Sequence, residues 1–138
     1  MLTNARTVRI EWGDCDPAGI VFYPRFFAMF DTSTTALFER ALGMKKSRFI
    51  EHYGVIGYPL VDARARFLVP VKFSDDVVIE SVVKEFRRAS FDMEHRLTKD
   101  GVLAVEGFET RVWAARDPSD PARIRSVPIP EEIIERFQ

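Results

Sequence analysis

A single apolar pattern at helical spacing, followed mainly by patterns at strand spacing, limits what this chain can fold into. Between Pro24 and Gly43, Phe and Leu recur every three or four residues, which predicts one helix of about 20 residues. Pro24 suits the first helical position and Gly43 suits the C-cap. No second long helical pattern remains that could cross between parallel strands, so the sheet is predicted to be mostly antiparallel.

The other predicted elements are mostly strands, because their residues alternate between apolar and polar. These strands are expected over residues 7–12, 61–69, 77–87, 91–97 and 102–115. Lys99-Asp100-Gly101 is a hairpin turn signal between the last two of them. A short helix is expected over 47–52 and, after a loop at 117–121, a short strand over 123–127 and a helical turn from Pro130. The chain, residues 1–138, is therefore predicted to be a single α+β domain in which one long helix packs against a five- to six-stranded sheet.

Charge and composition argue against several classes of partner. The formal net charge is −1, so no overall field attracts nucleic acid or an anionic membrane. The first residues lack the apolar core of a signal peptide, and no run of 18 apolar residues could span a membrane. Cys15 is the single cysteine, which rules out an internal disulfide and fits a reducing compartment. We expect a cytoplasmic protein without nucleic-acid or membrane partners.

The segment from Gly13 to Pro24 has the strongest chemical signal. It joins a predicted strand to the start of the long helix, where unpaired backbone N–H groups and the helix dipole can hold a developing oxyanion. Pro24 has no N–H, so the nearest donor is that of Tyr23 or of a residue in the next turn. Pro17 and Gly19 can turn the Asp16 carboxylate towards the same place. The spacing alone equally allows a structural Asp that caps the helix.

Other chemistries fit the sequence less well. The carboxylates of Asp14 and Asp16 should raise the pKa of Cys15, which disfavours a cysteine nucleophile. Two scattered histidines, His52 and His95, cannot complete a zinc site with one cysteine, and no Gly-x-Ser-x-Gly motif is present. Asp14-x-Asp16 resembles the motif of aspartate-based phosphatases, but that chemistry is associated with a parallel sheet.

The motif Gly-Asp-Cys-Asp-Pro-Ala-Gly-Ile-Val-Phe-Tyr-Pro, residues 13–24, resembles the active-site segment of the 4-hydroxybenzoyl-CoA thioesterase family. The resemblance continues through Gly-Val-Ile-Gly-Tyr-Pro-Leu-Val at 54–61 and Lys-Glu-Phe-Arg-Arg-Ala-Ser-Phe at 84–91, so it spans most of the chain. It implies the hotdog fold, in which an antiparallel sheet wraps a long helix. It also implies hydrolysis of an acyl-CoA without a metal or organic cofactor.

The resemblance assigns roles to particular residues. Asp16 is implied to attack the thioester carbonyl or to activate a water molecule, and the backbone N–H of Tyr23 to stabilise the oxyanion. Coenzyme A phosphates are implied to meet Arg87 and Arg88, helped by Ser90 and Lys84; arginine suits phosphate, although a pair of arginines in a turn is also a common solvated feature. The remaining implied substrate-binding residues are Gly19, Phe22, Phe27, Tyr58 and Pro59, the last two lying in a segment, 57–60, that a neighbouring subunit can supply.

The acyl group is less well defined by the resemblance than the reaction. Aromatic-acyl members often carry Trp at the position of Phe22, Thr at that of Tyr58 and a basic residue at that of Ala89, whereas Pro24 favours the aromatic branch over short-chain acyl-CoA thioesterases. The alternatives are a short-chain aliphatic thioesterase, a hotdog dehydratase, which usually needs a histidine in the site, and a non-catalytic acyl-CoA binding module. Long sheet edges and a sheet face that one helix cannot cover predict a homodimer or homotetramer.

Overall fold

The computed structural model describes residues 1–138. Its helices are α1 (Pro24–Leu42), α2 (Lys46–Tyr53) and α3 (Glu131–Glu135). Its strands are β1 (Thr3–Arg9), β2 (Leu60–Phe67), β3 (Asp76–Phe86), β4 (Ser90–Lys99), β5 (Val102–Val112), β6 (Ala114–Asp117) and β7 (Asp120–Ser126). None of the helices is long and apolar enough to cross a membrane.

Helix α1 begins and ends where the sequence predicts. Pro24 occupies the first turn, and Gly43 ends the helix in the left-handed region at φ 67°, where its N–H donates to the Glu39 carbonyl. One face of the helix is buried against the sheet, with rings such as those of Phe26, Phe30 and Phe38. The helix is therefore amphipathic and packs on the sheet along its whole length.

Five strands form one antiparallel sheet in the order β1-β3-β4-β5-β2. Short turns at residues 87–89 and 100–101 connect β3 to β4 and β4 to β5. Asp100 and Gly101 both have positive φ, as a tight hairpin turn requires. The predicted α+β class and antiparallel sheet are confirmed, and β1 and β2 are the two edges.

The first strand is displaced from its predicted position: it covers Thr3–Arg9 and not 7–12. The N–H of Ile10 leaves the strand pairing and donates to the Asp75 carbonyl at 2.8 Å. Asp14 Oδ2 then accepts the N–H of Glu11 at 2.9 Å, and this cap supports a 3-10 turn that begins at Trp12. A local side-chain bond thus overrides an alternation that looked continuous.

The predicted strand 102–115 is in fact two strands. Trp113, only 1% exposed, separates β5 from β6, and its N–H donates to the Ala89 carbonyl at 2.8 Å. The expected loop at 117–121 is the tight turn of a second hairpin, in which β6 pairs with β7. Apolar alternation continues through the break, so the sequence pattern gave no sign of it.

The core consists of two apolar halves separated by buried polar residues. One half contains Phe26, Phe30 and Ile79, and the other contains Phe38, Met93 and Trp113. Between them, on α1 and on the neighbouring strands, lie six buried polar side chains, here called the polar belt: Ser33, Thr34, Ser81, His95, Glu109 and Arg111.

The polar belt is fully hydrogen-bonded. Glu109 Oε1 accepts from Thr34 at 2.7 Å and from Arg111 Nε at 2.9 Å, and it lies 3.2 Å from His95 Nε2. His95 Nδ1 lies 2.7 Å from Ser81 Oγ. Burial raises the pKa of the Glu109 carboxyl, but the hydrogen bonds from His95 and Arg111 outweigh burial and bring the pKa to about 2. Glu109 is therefore a stable buried carboxylate.

The sheet face away from α1 is charged and not apolar. Arg96 pairs with Glu106 at 3.4 Å and Lys84 with Glu94 at 3.8 Å, and Arg64 lies over the Phe108 ring at 4.2 Å. The expectation of an apolar uncovered face is wrong, because cross-strand charge pairs occupy it. The argument for self-association therefore rests on the two edge strands.

Candidate active site

The Gly13–Pro24 segment is a tight hairpin that leads into α1. Cys15 pairs with Val21, and the N–H of Phe22 donates to the Asp14 carbonyl at 2.8 Å. The N–H of Asp16 donates to the Ile20 carbonyl at 3.1 Å. Asp16 therefore lies at the closed end of the hairpin, and the chain returns from there directly to the start of the helix.

The segment 71–75 fixes this hairpin from the other side. The N–H of Val21 donates to the Val71 carbonyl at 2.8 Å, and the N–H of Phe73 donates to the Gly19 carbonyl at 3.1 Å. Asp75 in turn accepts the Lys72 N–H at 2.8 Å and pairs with Lys99 at 2.8 Å. The hairpin is thus held by the main sheet and does not depend on its own bonds alone.

Asp16 keeps one carboxylate oxygen free. Its Oδ1 accepts the N–H of Ala18 at 2.8 Å, and Oδ2 accepts no hydrogen bond from the chain. The side chain is half-buried and takes part in no salt bridge. Gly19, at φ 80°, makes the sharp return that a residue with a side chain would strain. Oδ2 is therefore available to a water molecule or a substrate.

Tyr23 offers the unpaired donor at the helix start. It is the N-cap residue, and its N–H donates to no group of the chain. The next donors are engaged or absent: Pro24 has none, and the N–H of Arg25 donates to the Phe22 carbonyl at 2.8 Å. The helix dipole gives this end partial positive charge. An anionic oxygen near the helix start can therefore be met by one free N–H.

An apolar cleft of about 400 Å³ opens beside Tyr23. Its walls come from the hairpin, the first turn of α1, and the chain from the end of β2 to Val71. Its lining residues are Ile20, Val21, Tyr23, Phe26, Phe67, Leu68, Val69, Pro70 and Val71. Since none of them carries a charge, the cleft suits an apolar ligand.

Two further residues named from the sequence lie near the helix start. The Phe22 ring is 49% exposed and meets the Tyr23 ring edge to face, with centroids 5.5 Å apart. Phe27 is half-buried in the first turn of α1. Neither ring lines the apolar cleft. The structure therefore brings Asp16, Gly19, Phe22, Tyr23 and Phe27 together within one chain.

Tyr58 and Pro59 lie elsewhere. The Tyr58 ring is 2% exposed and packs with Phe38 and Phe91 in the core half at the C-terminal part of α1. Burial raises the pKa of its hydroxyl, which lies 3.3 Å from Thr35 Oγ1. Pro59 is exposed. Within one chain these two residues are not brought to the Asp16 hairpin.

The basic turn between β3 and β4 is partly neutralised. Arg87 forms a two-point ion pair with Asp92 at 2.6 and 2.9 Å, and it also reaches Glu85 and the Ser90 hydroxyl. The hydrogen bond with Asp92 raises the pKa of Arg87. Lys84 pairs with Glu94. Arg88 is exposed and has no side-chain partner, so it is the free cation of this turn.

Sequence reasoning missed two groups of residues. The first is the polar belt, whose charged members were expected to face solvent. The second is a set of exposed arginines on the β6–β7 hairpin, Arg116, Arg123 and Arg125. The N–H of Ile129 donates to the Arg88 carbonyl at 2.8 Å, which ties the chain after β7 to the basic turn. The alternation of Arg123 and Arg125 in a predicted strand was the available signal for this second set.

Nucleophile and metal chemistry can be judged from the same geometry. The pKa of the Cys15 thiol is raised, first by burial and then by Asp14 and Asp16, as predicted from the sequence. No three His, Cys, Asp or Glu side chains lie close enough together to hold a metal ion. The free oxygen of Asp16 is thus the reactive group that the hairpin offers.

One long helix on a five-stranded antiparallel sheet, with a carboxylate hairpin at the helix start, is the arrangement of a hotdog-fold thioesterase. Comparisons with known proteins agree. Residues 10–137 match the model of the thioesterase-like superfamily. The 4-hydroxybenzoyl-CoA thioesterase of Pseudomonas sp. (strain CBS-3) is 33% identical over 132 residues, which are 92% of each chain.

Solved structures extend the likeness to the whole fold. A variant of 4-hydroxybenzoyl-CoA thioesterase complexed with 4-hydroxybenzoyl-CoA is 31% identical, covers 99% of both chains and has a TM-score of 0.89. A gentisyl-coenzyme A thioesterase is 32% identical, with 98% of this chain and 100% of that chain covered and a TM-score of 0.84. The chain belongs to the 4-hydroxybenzoyl-CoA thioesterase family, within the thioesterase-like superfamily, and is a thioester hydrolase.

Proposed function

We propose that this protein hydrolyses an aromatic acyl-CoA to the free acid and coenzyme A, with Asp16 as the catalytic carboxylate and the Tyr23 N–H as the oxyanion donor. The observation that carries the proposal is one of pairing. Asp16 Oδ2 and the Tyr23 N–H are both unpaired, and one short hairpin joins the two residues. Polar groups in rigid elements are normally paired, so free ones at a helix start favour a ligand.

Two routes use this carboxylate. In the first, Asp16 attacks the thioester carbonyl, the C–S bond breaks and the coenzyme A thiolate takes up a proton; water then hydrolyses the resulting anhydride. In the second, Asp16 takes a proton from a water molecule as that water attacks the carbonyl. Both routes place negative charge on the carbonyl oxygen, where the Tyr23 N–H can stabilise it. Both need Asp16 ionised, so activity should fall as the pH is lowered and Asp16 takes up a proton.

The relatives support an aromatic acyl group. Two of them are named for 4-hydroxybenzoyl-CoA and gentisyl-coenzyme A, and both are more than 30% identical to this chain. We therefore place a compound such as 4-hydroxybenzoyl-CoA first among the substrates. A short-chain aliphatic acyl-CoA remains the alternative substrate, and binding without turnover remains the alternative activity.

Coenzyme A phosphates are assigned to the basic turn. Arg88 is free to bind a phosphate as it stands, whereas Arg87 must exchange its bond to Asp92 for one to the ligand. Ser90 and Lys84 lie on the strands that flank this turn. The exposed Arg123 and Arg125 extend the positive charge, because the chain after β7 is bonded to Arg88.

The full site is proposed to need a second copy of the chain. Tyr58 and Pro59 are not near Asp16 in one chain, so a role in acyl binding requires that a neighbouring subunit supply them. The edge strands β1 and β2 are open to pairing, and β2 exposes Leu60 and Val61. We propose a homodimer or homotetramer, made of one domain per chain, that works in the cytoplasm.

A panel of acyl-CoAs tests the function. Release of free thiol should be measured for 4-hydroxybenzoyl-, benzoyl-, acetyl- and hexanoyl-CoA with the purified protein. We expect the highest kcat/KM for the aromatic thioesters. Faster turnover of acetyl-CoA would favour the short-chain alternative, and tight binding without thiol release would favour the binding module.

A further inference from the structure

The apolar cleft begins at the carbonyl-binding end of the proposed site. Tyr23 is one of its lining residues, and Ile20 and Val21 connect it to the hairpin that carries Asp16. A thioester carbonyl placed at the Tyr23 N–H would therefore have the mouth of this cleft beside it. The volume of about 400 Å³ falls in the range of enzyme pockets for small molecules.

The lining selects which part of an acyl-CoA fits. Apart from the Tyr23 hydroxyl, the lining side chains are hydrocarbon. The pantetheine arm of coenzyme A carries two amides, and burying these without partners is unfavourable. A charged acyl group, such as a dicarboxylic one, would lose its hydration with no cation to replace it. An uncharged apolar acyl group has neither cost.

Exposed rings at the end of β2 provide the contact surface. Phe67 is 52% exposed and Leu68 is 49% exposed, although both line the cleft. The Phe67 ring lies 5.7 Å from that of Phe26, which is only 4% exposed. A flat or extended apolar group between hairpin and strand would cover the exposed faces of both cleft walls.

We infer that the apolar cleft binds the acyl group and restricts the enzyme to uncharged apolar acyl groups, with Phe67 as a specificity-determining residue. This inference rests on the proposed thioesterase function. The acyl contacts it names, Ile20, Phe26, Phe67 and Leu68, are not among those the sequence suggested.

Acyl groups of different size and charge test the inference. The wild type and the variants Phe67→Ala and Phe67→Leu should be assayed with benzoyl-, hexanoyl-, acetyl- and glutaryl-CoA. We expect Phe67→Ala to lower kcat/KM about tenfold for benzoyl- and hexanoyl-CoA. Acetyl-CoA is too small to reach Phe67, so its kcat/KM should stay unchanged, and Phe67→Leu should fall between. Val102→Ala removes an equally exposed side chain at the remote β4–β5 turn and should change none of these values.

The outcomes separate the two levels of the argument. An equal loss for all acyl groups would show that Phe67 is only structural, and no loss would remove it from the site. Wild-type kcat/KM for glutaryl-CoA equal to that for hexanoyl-CoA would also overturn the inference. Absence of thiol release from every acyl-CoA with the wild type would instead contradict the proposed function itself.

Discussion

The polar belt and the Asp16 hairpin both present carboxylates to α1, but they treat them in opposite ways. Glu109 is buried and bonded to Thr34, Arg111 and His95. Asp16 is half-buried and bonded only through Oδ1, to Ala18. Buried ions are tolerated only when nearly every bond is made, whereas reaction requires a group with bonding capacity left over. The comparison suggests that Glu109 stabilises the fold and Asp16 performs the chemistry.

The largest expected effect on stability comes from Glu109→Ala. Removing this carboxylate leaves Arg111 and Thr34 with lost partners in the core, so the free energy of unfolding should fall by about 3–5 kcal/mol. Denaturant unfolding measures it. Glu106→Ala on the same strand removes a carboxylate from the uncovered face and should cost less than about 1 kcal/mol. Equal losses for the two variants would break the comparison.

The pH dependence of stability sharpens the same point. The pKa of Glu109 is about 2 in the folded chain, below the ordinary value of 4.5. Its contribution is therefore complete above about pH 4.5 and is lost as the pH falls towards 2. The difference in Tm between the wild type and Glu109→Gln should narrow as the pH is lowered through that window. A difference that stays constant would show that the ionised carboxylate contributes nothing.

A smaller loss is expected from Gly107→Ala, beside the polar belt. A Cβ there would lie 2.5 Å from the Phe30 ring, which stacks on His95 with centroids 4.9 Å apart. Forcing that ring aside should cost about 1–3 kcal/mol of unfolding free energy. Gly13→Ala, where the added Cβ meets nothing within 4 Å, is the control for stability. An unchanged unfolding midpoint for Gly107→Ala would mean that Phe30 moves freely.

The smallest expected effect is on substrate binding. The double variant Arg87→Ala with Arg88→Ala removes the proposed phosphate contacts and should raise KM severalfold, by about 1 kcal/mol, with little change in kcat. Arg66→Ala removes an exposed arginine from the uncovered sheet face and serves as the control. Initial-rate kinetics with 4-hydroxybenzoyl-CoA measure both parameters. An unchanged KM would refute the phosphate role of the turn.

How far the sequence predicted each region depends on whether the signal was local. The ends of α1 follow from Pro24 and Gly43, and the β4–β5 turn follows from Asp100-Gly101, because these residues act through their own backbone. The polar belt could not be predicted in this way. On β5, Phe108 faces the uncovered side and Glu109 faces the core, so an apolar-inward pattern gives the wrong face. Only partners from distant strands explain that inversion.

The candidate site divides in the same manner. Asp16, Gly19 and Tyr23 were identified from their motif, which is continuous in the chain. The free state of the Tyr23 N–H and the apolar cleft depend on residues about 50 positions away, at 67–71, and no periodicity announces them. The ion pair of Arg87 with Asp92 likewise became visible only when β3 and β4 were paired.

The most direct test of the catalytic assignment compares Asp16→Asn with Asp14→Asn, two neutralised carboxylates in one hairpin. With 4-hydroxybenzoyl-CoA, Asp16→Asn should lower kcat more than about a hundredfold while thermal unfolding stays close to that of the wild type. Asp14→Asn should keep kcat within about tenfold, because Asp14 only caps the Glu11 N–H. An Asp16→Asn protein that turns over at the wild-type rate would contradict the account.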